Sequence, residues 1–465
     1  MAAKAETVPA AAESGVPFSL RLSFGIGSLG QATILNSTSV LLLFFMTNLL
    51  GIRPSVGGAL LFISKLVDVA SNPVIGMLSD RTHTRIGRRR PYLLGGGIMM
   101  CVTFVLLFTA PEFESQWLLT GYLLLLMVLL SLAYATFTVP YLAVAAETTR
   151  TYDERTSIMA YRVVFILLGT LVGTAIAPAI ATPSGVGTRE SFASMALLLG
   201  AVIMIASLLC FWGTRQATFY DPDAESPGFR RQLRIAWDNR PFVTLATAKL
   251  LQLIGVASVI TCALYLTRYV LDISGVRVAL FFLTMTISSA AVVPAWWWIA
   301  RRIGKKSAYI TAVTIYALTA LTWMLAGPVA TSADMGLVYA RAVFLGISSG
   351  GLILLGVSML PDTIEYDRLT SGARREGVFT GLWSAVEKGA TAVGGLLIGV
   401  LLDLMGFIKS TGDVVMQPDS AITGIIIGSA VLPAAFMLAS LPLLFRYPLS
   451  QQSLEQLEAS TTVAG

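Results

Sequence analysis

The chain has 465 residues, of which 55% are hydrophobic and only 12% are charged. Soluble domains carry about 25% charged residues, so this composition excludes a soluble globular protein and predicts a polytopic membrane protein. The formal net charge of +6 does not indicate a nucleic-acid partner, because Lys and Arg gather in the cytoplasmic loops of membrane proteins.

Twelve apolar stretches reach the length of about 20 residues that a membrane-spanning helix requires. The predicted helices cover 21–49, 55–79, 91–110, 116–143, 156–181, 191–213, 241–270, 275–300, 307–327, 333–361, 376–404 and 420–446. The predicted fold class is therefore an all-α membrane protein with twelve transmembrane helices. Residues 1–20 lack the charged start and apolar core of a cleavable signal peptide, and we predict a cytoplasmic tail there.

The second predicted helix carries three polar residues on one face. Lys65, Asp68 and Asn72 are spaced at i, i+3 and i+7 in an otherwise apolar helix. Ionisable groups inside a spanning helix are costly and usually face a bundle interior or an aqueous cavity, where they bind ions, protons or substrate. The alternative is that Lys65 and Asp68 only hold two helices together.

The segment that follows this helix is dense in arginine. It contains Arg81, Arg85, Arg88, Arg89 and Arg90. Short loops of this kind are typical of the negatively charged cytoplasmic surface, so we interpret the segment as a cytoplasmic gate loop. Most of the other loop Lys and Arg residues fall on the same side, which predicts that both termini are cytoplasmic. We expect the membrane to be a plasma membrane, namely a bacterial inner membrane.

Two landmarks recur at nearly the same separation along the chain. The Gly-Arg-Arg run that begins at Gly87 is matched by the Gly-Lys-Lys run that begins at Gly304, and Pro140 is matched by Pro361. Parallel six-helix repeats build the major facilitator fold, with the solute bound between the halves. We therefore predict two pseudo-symmetric six-helix bundles. The predicted regions are an N-terminal tail (1–20), an N-terminal bundle (21–213), a cytoplasmic linker (214–240), a C-terminal bundle (241–446) and a C-terminal tail (447–465).

The remaining polar residues give no sign of an enzyme. Cys101, Cys210 and Cys262 each stand alone in an apolar segment, and His83 lies in a loop away from all three. A catalytic triad or a metal centre would need histidines or carboxylate clusters that the apolar segments lack. We expect no enzymatic activity, no cofactor and no resident metal.

Three segments resemble the glycoside–pentoside–hexuronide:cation symporters of the major facilitator superfamily, the group that includes melibiose permease and the sucrose transporters. The segments are DVASNPVIGMLSDRTHTRIGRRRPYLL, VPYLAVAAETTRTYDERTSIMAYR and LPDTIEYDRLTSGARREGVFTGLWSAVEKGA. The resemblance extends over nearly the whole chain. It implies a monomeric secondary transporter in the lipid bilayer that couples a cation to the movement of a solute by alternating access.

The resemblance also implies roles for individual residues. Asp68 stands where the family has a cation-binding aspartate, with Asn72 one turn later, Lys65 one turn earlier and Lys388 as the helix-eleven lysine that communicates with it. The residues implied at the solute site are Gln31, Tyr134, Thr138, Arg162, Trp383 and Ser384. Those implied in a network that closes the cytoplasmic side are Asp80, Arg88, Glu147, Arg155, Asp362, Glu365, Arg374 and Glu376.

The chain differs from melibiose permease at the positions where that transporter binds its sugar and its cation. Ala32 and Thr138 stand where that transporter has sugar-binding aspartates, Gln31 where it has a lysine, and Asn72 where it has a second cation-binding aspartate. A hard cation needs several oxygen ligands, whereas Asp68 alone is sufficient for a proton. We therefore predict H⁺-coupled symport of a neutral or weakly polar solute of glycoside size. The alternatives are Na⁺ coupling, an amphipathic or lipid-like solute on the same fold, and a scaffold that transports nothing.

Several intramembrane charges also have a structural interpretation. Glu387 and Lys388 lie about 100° apart around a helix, so only one of them can face a narrow site, and we favour Lys388. Arg162 could equally extend to the cytoplasmic surface. For Lys249 and Arg341 we expect the same extension or a contact with a neighbouring helix.

Overall fold

The computed structural model describes residues 17–149, 152–216, 229–372, 375–412, 415–449 and 456–458. Eleven helices in this part of the chain are long and apolar enough to cross a membrane, and two shorter helices bent by 43° make a twelfth when counted as one span. This confirms the predicted all-α membrane fold. The spans are α1 (Phe18–Asn48), α2 (Pro54–Arg81), α3 (Arg90–Phe108), α4 (Gln116–Thr148), α5 (Tyr152–Leu171, continued by Val172–Ile176 and Ala177–Ala181), α6 (Arg189–Gly213), α7 (Arg240–Val270), α8 (Val276–Ala291 and Val293–Ile303), α9 (Lys305–Leu325), α10 (Ser332–Ser371), α11 (Glu376–Leu404) and α12 (Asp419–Phe445).

Local sequence explains several of the helix starts. Pro54 is the first residue of α2, a position where the missing N–H of proline costs no helical hydrogen bond. The side chain of Thr331 accepts a hydrogen bond from the backbone N–H of Asp334 and so caps α10. Asn239 caps α7 in the same way through the N–H of Phe242.

Two helices continue beyond the boundaries that the sequence predicted. We predicted that helix four ends at 143 and helix ten at 361, shortly after or at a proline. Both boundaries are wrong, because α4 runs through Pro140 to Thr148 and α10 runs through Pro361 to Ser371. A proline removes one helical hydrogen bond, and packing of the residues beyond it keeps each helix continuous, since Tyr141 and Val144 of α4 and Thr363 of α10 are fully buried. A short helix, Phe229–Asp238, lies within the predicted linker (214–240).

The bundle has two ends of different character. We call the end where α2 finishes and α3 begins the basic end, after its arginine-rich loop, and the end where α1 finishes at Asn48 the opposite end. Contacts between the first six and the last six helices are made chiefly by α2 on α11, α1 on α7, and α5 on α8. These contacts place α2 and α11 beside each other at the centre of the bundle.

The opposite end is sealed by hydrogen bonds between the first six and the last six helices and their loops. The Thr47 hydroxyl lies 2.7 Å from the Tyr265 hydroxyl, and Tyr269 donates to Asn48 Oδ1. The Ser410 hydroxyl also donates to the Asn48 carbonyl oxygen at 2.7 Å. At the basic end, the ion pairs Arg89–Glu147, Lys305–Asp362 and Arg368–Glu365 each join two members of the same six-helix set. The hydrogen bonds described above between the two sets thus lie at the opposite end.

Candidate functional site

An ion pair joins α2 and α11 at mid-depth. Lys388 Nζ donates to Asp68 Oδ1 at 2.8 Å, and Asp68 is 3% exposed. The two helices can approach closely because Gly58 has no side chain. A β carbon at Gly58 would lie only 3.1 Å from the Gly395 carbonyl oxygen, which favours glycine there. The structure thus brings together two of the residues predicted from separate parts of the sequence.

Helix α11 presents two charged residues to two different neighbours. Lys388 faces α2, whereas Glu387 accepts a hydrogen bond from Trp383 Nε1 at 2.9 Å on the side that packs against α7. Lys249 of α7 is 3% exposed, and its ammonium lies 6.0 Å from the centre of the Trp383 ring. Its Nζ donates to the Leu352 carbonyl oxygen at 3.1 Å, so Lys249 makes the helix contact that was one of its two predicted roles.

A cavity lies between the two sets of helices beside the Asp68–Lys388 pair. One part is lined by Asp68, Lys65 and Tyr134 together with apolar side chains of α1, α2 and α4. A second part shares Lys65 and reaches Thr391 on α11. The Lys388 ammonium also lies 5.8 Å from the centre of the Tyr134 ring. Polar groups from three helices therefore converge on one apolar-walled space.

Some of the residues predicted for the cation and solute sites carry buried polar atoms without a protein partner. Among the described residues, nothing hydrogen-bonds to Gln31 Nε2, Asn72 Oδ1 or Arg162 Nε. Buried polar groups are normally hydrogen-bonded, and each exception calls for an explanation. A bound solute would supply one.

The two predicted solute residues of α11 differ in their surroundings. Ser384 is exposed, whereas Trp383 is 5% exposed and donates its ring N–H to Glu387. One face of the Trp383 ring is occupied by the Lys249 ammonium. Contact of Ser384 with a solute stays a prediction, and the Trp383 ring is enclosed by protein.

The predicted gate residues of the first half form a compact cluster at the basic end. Glu147 Oε1 accepts hydrogen bonds from Arg88 at 2.9 Å and from Arg89 at 2.6 Å, and Arg89 also pairs with Asp80 at 2.6 Å. Burial alone would lower the pKa of Arg89, but its contacts with Glu147 and Asp80 raise it above the ordinary value. Sequence reasoning singled out Arg88 and missed Arg89 as the central member, although both lie in the same arginine run.

Two predicted gate residues of the second half, Asp362 and Glu365, pair with basic residues of the same half that were not predicted as gate residues. Lys305 Nζ donates to both carboxylate oxygens of Asp362 at 2.8 Å, and Arg368 pairs with Glu365 at 2.6 Å on one face of α10. Glu376 is exposed in the first turn of α11. That these groups bridge the two halves when the basic end closes stays a prediction.

Two predicted gate residues cannot be placed. Arg374 falls between the described ranges, and the side chain of Arg155 lies outside the described part of α5. Their roles stay predictions from the family resemblance.

We expect Glu147→Gln to destabilise the protein more than Asp362→Asn. The Glu147 and Arg89 side chains are 3% and 6% exposed, and removing one partner of a buried ion pair costs about 3 kcal/mol or more. The Lys305 and Asp362 side chains are 46% and 25% exposed, and exposed pairs contribute about 0–1 kcal/mol. Thermal unfolding of both purified variants in one detergent measures the difference, and an equal loss of stability would contradict it.

Comparison with known proteins shows which family this chain is similar to. A family model described as MFS/sugar transport protein matches residues 23–451. An uncharacterized symporter of Synechocystis is 26% identical, over 93% of this chain and 94% of the relative. The glucuronide carrier protein homolog of Escherichia coli is 25% identical, over 94% of this chain and 93% of the relative. A solved bacterial homolog of the lysosomal transporter Spinster has a TM-score of 0.66 at 14% identity, over 93% of this chain and 98% of that one, which supports the fold alone.

Proposed function

Because this chain belongs to the MFS/sugar transport protein family, we propose that it is a secondary active symporter that couples H⁺ to the movement of a glycoside-sized solute by alternating access. The observation that carries the proposal is the ion pair between Asp68 and Lys388, which joins the two sets of helices beside the central cavity. This ion pair can form or break only when the two sets of helices move relative to each other or when Asp68 binds the coupling cation.

The state of the bundle supports alternating access. Hydrogen bonds join the two sets of helices at the opposite end, and the pairs Arg89–Glu147 and Lys305–Asp362 at the basic end each lie within one set. Since basic loops face the cytoplasm in membrane proteins, these contacts support our proposal of an inward-open transporter with cytoplasmic termini in a bacterial inner membrane.

The surroundings of Asp68 favour a proton over Na⁺. Within the described residues, Lys388 occupies Asp68 Oδ1, and the Ser71 hydroxyl donates to the backbone carbonyl of Asp68 on its own helix. Asn72 offers only a neutral carbonyl oxygen, and Ala135 of the adjacent α4 offers no oxygen at all from its side chain. Fewer and weaker oxygen ligands reduce the affinity for a hard cation, whereas a proton requires one carboxylate.

The test is uptake into proteoliposomes of a solute first found by a thermal-shift screen, since ligand binding raises stability by mass action. We expect uptake to follow an inward proton gradient, to stop on addition of a protonophore, and to change little with Na⁺ at fixed pH. Uptake that rises with Na⁺ and ignores the protonophore would reassign the ion. Binding without any transport would favour a scaffold.

The cavity walls favour a second candidate solute on the same fold. Ile34, Leu35, Leu61, Met127 and Leu130 line the space beside Asp68. An apolar wall of this extent also suits an amphipathic solute with an acyl or aryl part. The thermal-shift screen should therefore include lysolipids beside sugars and glycosides.

A further inference from the structure

The charges around the central cavity do not balance. Within α2, α5, α7 and α11, and more than two turns from the ends of these spans, the described residues include four cations and two carboxylates, namely Lys65, Arg162, Lys249 and Lys388 against Asp68 and Glu387. An uncompensated charge inside the membrane is costly. The question is which cations lack a counter-charge from the protein.

Two of the four cations are compensated. Lys388 pairs with Asp68 at 2.8 Å. Lys249 lies in the field of Glu387 on α11 and is linked to it through Trp383, whose ring faces the ammonium and whose N–H donates to the carboxylate. Each carboxylate is thus assigned to one cation.

The other two cations have no carboxylate of their own. Within the described part of the chain, neither Lys65 nor Arg162 has an ion-pair partner within 4.0 Å. Asp68 attracts Lys65, but Lys388 already holds that carboxylate and repels Lys65 in turn. Lys65 lines both parts of the cavity. Arg162 lies close enough to Tyr134, which lines the first part, to interact with its hydroxyl electrostatically, and the buried Nε of Arg162 has no protein acceptor among the described residues.

We infer that the solute is an organic anion, with a carboxylate, sulfonate or phosphate group bound by Lys65 and Arg162 and an apolar face set against the cavity wall. This rests on the proposed transport function and replaces the neutral solute expected from the sequence. Ammonium and guanidinium groups form charge-assisted hydrogen bonds with such anions. The wall formed by Leu35, Leu61 and Met127 receives the rest of the molecule.

The same arrangement links the anion to the proton. When Asp68 is protonated, the ion pair is lost and Lys388 becomes a third cation beside the cavity. The anion should then bind more tightly, and by linkage the proton should bind Asp68 more tightly when the anion is present. An anionic solute and a proton therefore favour each other's binding.

The experiment compares charged and neutral members of matched pairs by the thermal shift of the purified protein. The pairs are phenyl β-D-glucuronide with phenyl β-D-glucoside, sulfoquinovose with quinovose, and lysophosphatidylglycerol with monoacylglycerol. We expect the charged member of at least one pair to bind about tenfold more tightly than its neutral partner. The pair that shows this difference identifies whether a sugar acid, a sulfonate or a lipid phosphate is recognised.

Variants test whether Lys65 and Arg162 are responsible. Lys65→Gln and Arg162→Gln should each remove most of the difference between charged and neutral members, and Lys65→Arg should keep it. The control is Arg341→Gln, because Arg341 is also a half-buried cation of a spanning helix but lies over Trp323, beside a different cavity. It should leave the difference unchanged.

The outcomes separate this inference from the proposed function. Equal binding of charged and neutral members, or binding of neutral members alone, overturns the anionic class and leaves symport standing. A difference that persists in both glutamine variants overturns the assignment to Lys65 and Arg162. No binding by any member of the three pairs overturns the anionic class, and symport then stands or falls by the uptake of a solute found in the wider screen.

Discussion

Asp68→Asn should abolish accumulation of the solute against its gradient while leaving solute exchange across the membrane intact. Exchange needs only that solute-loaded states interconvert, whereas accumulation needs the ion that Asp68 carries. For one proton, a gradient of one pH unit supplies about 1.4 kcal/mol, which is about tenfold accumulation. The wild-type protein should approach this ratio in proteoliposomes, and the variant should remain at equal concentrations inside and outside.

The control for this prediction is Asp419→Asn, since Asp419 is an exposed carboxylate at the start of α12, away from the cavity. It should accumulate solute like the wild type. Loss of Asp68 also leaves Lys388 without its partner, so the double variant Asp68→Asn/Lys388→Gln should recover stability if the single variant unfolds. Accumulation of wild-type size in either Asp68 variant would remove Asp68 from the coupling site.

Gly399→Leu should prevent closure of the opposite end and so block transport. A β carbon at Gly399 would overlap the Pro54 carbonyl oxygen and lie 2.9 Å from Gly58 Cα, so α11 could not approach α2 as it does in this state. Overpacking costs about 1–3 kcal/mol, which corresponds to a population shift of about fivefold to more than a hundredfold. The measurement uses a protein without its native cysteines that carries Thr38→Cys, because Thr38 lines the cavity. An impermeant maleimide, added on the side of the membrane that the opposite end faces, should label this cysteine faster by that factor when Gly399→Leu is present.

Gly336→Leu provides the matched control for this substitution. A β carbon at Gly336 of α10 would find no atom within 4 Å, so leucine there should leave both transport and labelling unchanged. If Gly399→Leu transports normally, or if its labelling rate equals that of the Gly336 variant, the contact between α2 and α11 is not specific to the closed opposite end.

The sequence by itself determined the class of fold and the identity of the central ionisable residues. Apolar runs long enough to span the bilayer predict a helical membrane protein. In lipid no water can hydrogen-bond to the backbone, so the backbone N–H and C=O groups must pair within the helix. The cost of charge in such helices singled out Lys65, Asp68 and Lys388 before any contact was known. Helix ends were less well predicted, as α10 shows by passing through Pro361.

Only the tertiary structure decided which of these charges meet. Asp68 and Lys388 lie far apart in the sequence, and their pairing depends on how α2 packs on α11. Likewise, the adjacent residues Glu387 and Lys388 turn to different helices, so that one is assigned to Lys249 and the other to Asp68. Whether a charge has a counter-charge depends on the distance between side chains of different helices. Helical periodicity shows which residues share a face of one helix, but it does not show which helix packs against that face. For that reason the two cations without a carboxylate, Lys65 among them, became apparent only in the folded bundle.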